Sequence, residues 1–329
     1  MKIRLGIIGT GESWRSRHEP ALRMLHDRYD VRAVFSPTAR LAENIAGEFQ
    51  ADVADGYRVM VSRCDIDAVM VLGRTWLGWL PMMAAADAGK AIYLAGPCDI
   101  DAARDHEMLQ CIDRSGVSMM VEFPRRYAPA TLRLKELIAT HLGPVKMIFC
   151  NRRMPRGTPS TPEAIELVDW CRYVVGTSPQ SVTATGHRED GGYQNYQNIT
   201  LHFGPAGQTT GGTAGDPSPV TAEIHCGNFD RGEWPEAMSY QLPPAMQVVC
   251  AHGIAYVDLP STLVWFDDAG RHIESLESET PVGQQLLRQF HRAVTSLLRN
   301  VGDLDDAFLA SKVLAAAHQS QTTGQKIDL

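Results

Sequence analysis

The feature that most constrains this chain is the rhythm of residues 1–123, where short unbroken apolar runs alternate with longer stretches of helical periodicity. Residues 3–9, 31–36, 68–72, 92–94 and 117–121 read as strands, and 12–25, 39–49, 80–88 and 102–115 as the helices between them. Strands of continuous Val, Ile, Leu and Met belong to a parallel sheet covered on both faces, because a solvated face would impose alternation. At 329 residues the chain is too long for one core and suits two domains.

After "FPRRYAP" the rhythm changes. Residues 129–141 and 162–175 read as helices, the second opened by Thr161 as cap with Pro162 at the first helical position. Residues 145–150 read as a strand, and further strands follow without intervening helices at 181–185, 198–203, 220–226, 246–250, 254–258 and 263–266. Such a run makes a large, mostly antiparallel sheet. Helices over 283–298 and 305–319 close the chain, the last packing back towards the first domain. The expected fold is α/β: a parallel-sheet domain over 1–123, then an α+β substrate and oligomerisation domain over 124–329 with a large, mostly antiparallel open sheet. The stretch 204–219, poor in apolar residues and rich in Gly, Thr and Pro, reads as a surface loop.

Composition removes several classes of function. A net charge of −7 with no Lys/Arg run leaves no electrostatic footprint for nucleic acid. Apolar runs are broken well before the roughly 18 residues of a membrane span. "MKIRLG" opens straight into a strand pattern without a signal-peptide core, so a cytoplasmic location is expected. The seven cysteines are scattered and never form CxxC; they read as free thiols, and no His/Cys set at ligand spacing calls for a metal.

"RLGIIGTGESW" places Gly9-Thr10-Gly11 between the first strand and a helix, the setting of a dinucleotide-binding turn in a Rossmann domain. The glycines allow a tight turn and a close approach of backbone to pyrophosphate, and the N–H groups through Glu12 and Ser13 face the anion. Trp14 stands where a third glycine would be. The second strand ends with Ser36, followed by Thr38 and Arg40, rather than with a carboxylate. Hydroxyls and a guanidinium suit a 2′-phosphate, which favours NADP over NAD as cofactor. The loops after later strands complete the expected cofactor contacts: Leu72, Gly73 and Thr75, then Ala95, Gly96 and Pro97, then Arg125.

Four stretches together, "GIIGTGESWRSRHEPAL", "AADAGKAIYLAGP", "GVSMMVEFPRRYAP" and "LVDWCRYVVG", resemble the Gfo/Idh/MocA family, which includes glucose–fructose oxidoreductase and inositol dehydrogenase. The resemblance covers essentially the whole chain in order. It implies hydride transfer between a nicotinamide cofactor and a sugar, cyclitol or related polyol, and a homo-oligomer (dimer or tetramer) through the C-terminal sheet. It also exposes departures. Where the family's fifth strand ends Glu-Lys-Pro, this chain has Ala95-Gly96-Pro97, without the lysine. Where the family carries Asp-x-x-x-His, the matching positions are Pro162 and Glu166. The family's Pro-Asn and later His after the fourth strand read Arg74-Thr75 and Gly78.

Oxidation of a carbinol needs a group that moves the hydroxyl proton. Glu166, on the helix that the resemblance turns towards the nicotinamide, reads either as that group or as an ion-paired helix residue. Asp169, one turn on, shares its face; the two carboxylates either share a proton or hold a sugar's hydroxyls, or Asp169 is structural and pairs with Arg172 or Arg126. Tyr127, beside Arg126, is either a proton donor or a ring-stacking group, or else a packed aromatic at the hinge. Trp76 and Trp79 read as core or as a wall for sugar stacking. His18 reads as a packing or capping residue, and His187 and His202 stand isolated. Three functions stay open: an oxidoreductase with a non-standard proton-transfer group, a catalytically silent NAD(P)-binding sensor or regulator, and a redox-assisted glycosidase.

Overall fold

Six strands, β1 (Ile3–Ile8), β2 (Tyr29–Phe35), β3 (Asp52–Val53), β4 (Ala68–Val71), β5 (Ala91–Leu94) and β6 (Met119–Val121), pair only in parallel in the order β3-β2-β1-β4-β5-β6. This is a computed structural model, and it describes residues 1–73, 77–96, 100, 105–154, 160–188, 194–205, 219–228, 243–296 and 302–329. The chain divides into two units, Met1–Pro124 with Thr280–Phe308, and Arg125–Glu279 with Leu309–Leu329. In the first, β4, β5 and β6 are buried at every position, which is why their sequences lack polar alternation. Helices α1 (Glu19–Met24), α2 (Ala39–Phe49), α3 (Tyr57–Val61), α4 (Leu80–Asp87) and α5 (His106–Ser115) connect them. Strand order reverses between β1 and β4, so the crevice of a doubly wound sheet opens at their carboxyl ends.

Residues 12–25 do not form the single helix their pattern implies. Trp14–His18 makes one wide turn in which the Ser13 carbonyl accepts the N–H of both Arg17 (2.9 Å) and His18 (3.3 Å), and α1 starts only at Glu19. The reason is Trp14: its buried indole, 6.0 Å edge-on from the Phe49 ring of α2, fills the space a third glycine would leave.

In the second unit, helices α6 (Pro129–Leu137) and α7 (Ser160–Val175) accompany nine strands among the described residues. These are β7 (Val145–Met154), β8 (Pro179–Arg188), β9 (Gln194–Pro205), β10 (Pro219–Asn228), β11 (Met246–Cys250), β12 (Ile254–Asp258), β13 (Thr262–Asp267), β14 (Gly270–Ser275) and β15 (Ile327–Asp328). Their order is β14-β13-β12-β11-β7-β10-β9-β8-β15, antiparallel throughout except for the β7/β10 pair. Helix α7 begins at Ser160, so Thr161 and Pro162 lie inside its first turn and Thr161 is not the cap; proline is tolerated there because first-turn N–H groups have no intrahelical acceptor. One face of the sheet, with Ile148, Ala222, Ile224 and Leu201, is fully buried with Val168 and Cys171 of α7. The other carries half-buried cross-strand rows, Phe266–Ile254–Val249–Met147 and Val264–Tyr256–Gln247–Phe149.

The last segment differs from an unbroken second domain over 124–329. Helix α8 (Val282–Thr295) belongs to the first unit, where Leu286, Leu287, Phe290 and Ala293 are buried and the Phe290 ring meets that of Tyr93 at 5.4 Å. Helix α9 (Gly302–Thr323) gives Leu304 and Ala307 to the first core and Ala310, Val313, Leu314 and Ala317 to the second. Of the 204–219 stretch, positions 206–218 lie outside the described residues.

Candidate functional site

The first unit offers an anion cradle at the switch point. Gly9 has φ +71°, and a Cβ there would come within 3.1 Å of the Gly73 backbone. At Gly11 a Cβ would stand 2.5 Å from the Leu72 carbonyl oxygen. Both glycines are therefore demanded by the close approach of the loop after β1 to the loop after β4. Gly9 donates its N–H to the Phe35 carbonyl (2.7 Å) and Trp14 to that of Gly11 (3.0 Å). Between them the N–H groups of Thr10, Gly11, Glu12 and Ser13 have no acceptor among the described residues. Four consecutive unpaired donors in a glycine turn fit a pyrophosphate.

Beside it, Ser36 Oγ accepts the Thr38 N–H at 3.3 Å, and Thr38 and Arg40 are exposed where α2 begins. Leu72 and Ala95 continue the β4 and β5 ladders, donating to Ile8 and Val71. Gly96 has φ +78°, and nothing among the described residues lies within 4 Å of a Cβ built on it. The position is thus more than a deleted lysine: its backbone takes a conformation that side-chain-bearing residues rarely adopt. Thr75, Trp76 and Pro97 lie outside the described residues. Trp79 is half-buried and donates Nε1–H to Asp105 (2.8 Å).

The second unit brings the carboxylates of α7 together with arginines. Arg125 bonds Glu163 (2.7 Å) and also Glu166. Arg152 at the end of β7 forks onto both oxygens of Glu163, at 3.0 and 3.2 Å. Arg126 grips Asp169 through Nε (2.7 Å) and Nη2, with Arg172 3.7 Å from the same carboxylate. Asp169 is almost wholly buried, and the Arg126 guanidinium lies over the Tyr173 ring. Burial pushes the Glu163 carboxyl upward, but Arg125 and Arg152 outweigh it and hold the group below its usual range.

Among the described residues, Glu163 and Asp169 each face two guanidiniums, whereas Glu166 meets one, through Oε2. Its Oε1 has no partner there, and 14% of its side chain is exposed. The sequence marked Arg125 as a cofactor contact and Glu166 as a catalytic candidate; the structure joins them in one ion pair. Arg152 was missed, and its only sign is the arginine run "NRRMPR". Tyr127 closes the helical turn Pro124–Tyr127 and is half-buried.

The model of an oxidoreductase family with a NAD-binding Rossmann fold matches residues 3–123. An inositol 2-dehydrogenase of Rhizobium meliloti is 29% identical over 196 residues, 56% of this chain and 58% of the relative. The chain thus spans little more than half the length of that relative, and half of a Cereibacter sphaeroides inositol 2-dehydrogenase at 30% identity. A D-xylose 1-dehydrogenase (NADP(+)) of Haloferax volcanii is 23% identical over 98% of this chain and 99% of its own. The solved aldose-aldose oxidoreductase of Caulobacter crescentus superposes with a TM-score of 0.81 over 100% of both chains at 16% identity, a likeness of fold.

Proposed function

We propose that this chain, which belongs to the Gfo/Idh/MocA family of oxidoreductases, oxidises or reduces a sugar, cyclitol or related polyol with a nicotinamide dinucleotide. The observation that carries the reading is the pairing of two features on one chain: the donor cradle Thr10–Ser13, and a carboxylate, Glu166, with one oxygen left open among the described residues. The cofactor fits that cradle, and when bound it supplies hydride chemistry. Thr10–Ser13 hold its pyrophosphate, and Gly9 and Gly11 keep the turn close to the β4 loop. Glu166 Oε1 takes the hydroxyl proton on oxidation and returns it on reduction, in place of the lysine and histidine that are absent. Arg125 orients the carboxylate through Oε2.

The test is turnover of NADP or NAD with a panel of cyclitols and aldoses. Glu166→Gln is expected to lower kcat by about a hundredfold or more while cofactor affinity stays unchanged. Full activity in that variant would sink the assignment. A second reading, a dinucleotide-binding sensor without turnover, is favoured by Gly96, whose open, left-handed backbone supplies no ammonium group. Tight dinucleotide binding with no turnover across the panel would select it.

NADP is the proposed form of the cofactor, because exposed Thr38 and Arg40 stand after β2 and no carboxylate does. Arg40→Ala is expected to weaken NADPH by about tenfold and leave NADH unaffected, read by fluorescence titration. Equal affinity for both in the unaltered chain would refute the preference. We further propose that the half-buried rows from β7 across β11–β13 pair with a second copy. Among the described residues, no helix is long and apolar enough to cross a membrane. Phe149→Arg is expected to lower the mass measured by light scattering to that of one chain, and a single-chain mass before substitution would remove the idea.

A further inference from the structure

A fully buried carboxylate that the proposed chemistry does not use stands just after β6. Glu122 accepts a hydrogen bond from His18 Nε2 at 2.9 Å through Oε2 and one from Arg17 Nη1 through Oε1. Its own N–H donates to the Leu94 carbonyl (2.9 Å), so the sheet fixes its backbone. The His18 ring, also buried, meets the edge of Tyr93 at 6.0 Å, and Tyr93 in turn packs on Phe290 of α8. Burial pushes the Glu122 carboxyl upward, but the His18 bond and the Arg17 charge prevail and keep it below its usual range. Stability alone is a weak reason for such a group, since apolar residues of similar volume commonly serve as well as a buried ion pair.

What Glu122 does that an apolar residue would not is hold the side chains of two consecutive residues at once. The main-chain N–H groups of those same residues, Arg17 and His18, both end on the Ser13 carbonyl. Ser13 is the last donor of the cradle. An unbroken series of bonds therefore runs from the end of β6 through the wide turn to the N–H groups that face the pyrophosphate. The wide turn lacks the tighter bonding of an α-helix from Trp14 to His18. An external anchor compensates for that looseness.

We propose that Glu122 is a positioning residue for the dinucleotide, acting through Arg17 and His18 on the Thr10–Ser13 cradle; this rests on the dinucleotide-binding reading above. The full chain is titrated with NADPH and NADH, and with adenosine 2′-monophosphate or adenosine, which lack the pyrophosphate. Glu122→Gln is expected to raise the dinucleotide Kd about tenfold, with the pyrophosphate-free fragment held within about twofold. A general loosening of the fold would weaken both alike. Arg17 reaches the surface, so Arg17→Met carries the same expectation if Glu122→Gln does not fold. His18→Gln, which keeps an N–H donor, is expected to retain affinity better than His18→Leu. Dinucleotide binding unchanged in Arg17→Met, or equal loss of dinucleotide and fragment in Glu122→Gln, overturns the proposal. Failure of the unaltered chain to bind either dinucleotide refutes the underlying reading instead.

Discussion

Gly11→Val is expected to abolish measurable dinucleotide binding, raising Kd by at least about a hundredfold. The group it would strike is a backbone carbonyl, that of Leu72, 2.5 Å from the first atom of any side chain. That carbonyl is backbone rather than the free end of a flexible side chain, on a residue that is buried where β4 ends and anchored there by its N–H to Ile8 at 3.0 Å, so it gives way poorly. The turn must therefore lift away from β4, and the Thr10–Ser13 donors lose their common focus. Gly47 supplies the contrast: it lies exposed in α2 with nothing within 4 Å of its Cβ position. Gly47→Ala is expected to leave binding alone and to add up to about 1 kcal/mol of stability, because alanine gives up less backbone entropy. Titration and thermal unfolding of both variants make the check. Near-normal affinity in Gly11→Val would mean that the cradle does not receive the pyrophosphate.

The glycines were legible because their constraint is local. A strand, a tight turn and a helix follow one another within a dozen residues, and only glycine satisfies φ +71° with a neighbouring backbone at 3.1 Å. The strands of the first sheet were legible for a related reason: burial on both faces writes itself as an unbroken apolar run. Short or solvated elements left no such record. β3 has two exposed residues, and β14 alternates between exposed and half-buried positions without a clean apolar face. The wide turn at Trp14–His18 was hidden because a tryptophan after GxG is compatible with a helix until Phe49 is known to face it. Ion pairs were the least visible. Glu122 meets His18 across 104 positions and Arg126 meets Asp169 across 43, separations over which no periodicity connects one residue to the other. The sequence could place Glu163, Glu166 and Asp169 on one helical face. It could not rank them, because the ranking depends on how many guanidiniums each one meets.

That ranking makes Asp169→Asn the second large effect, and it falls on stability. The carboxylate is 2% exposed and faces Arg126, bonded through Nε at 2.7 Å, with Arg172 at 3.7 Å. An amide of the same shape removes the negative charge and turns one acceptor into a donor against a guanidinium. Removing one partner from a buried pair leaves an uncompensated charge, so a loss of about 3–5 kcal/mol is expected. For a unit of this size that corresponds to a fall in Tm of roughly 10 °C. The exposed pair of Arg133 with Glu136, whose side chain is 61% exposed, serves as the control and is expected to matter little when broken. Replacing both members, Asp169→Leu with Arg126→Met, is expected to recover part of the loss, since the penalty lies in the unpaired charge more than in the missing attraction. If Asp169→Asn instead left Tm within about 2 °C and removed turnover, Asp169 would be handling substrate protons rather than anchoring Arg126. The division of labour on α7 would then be reversed, with Glu166 as the structural partner of Arg125 and the buried aspartate as the group that works.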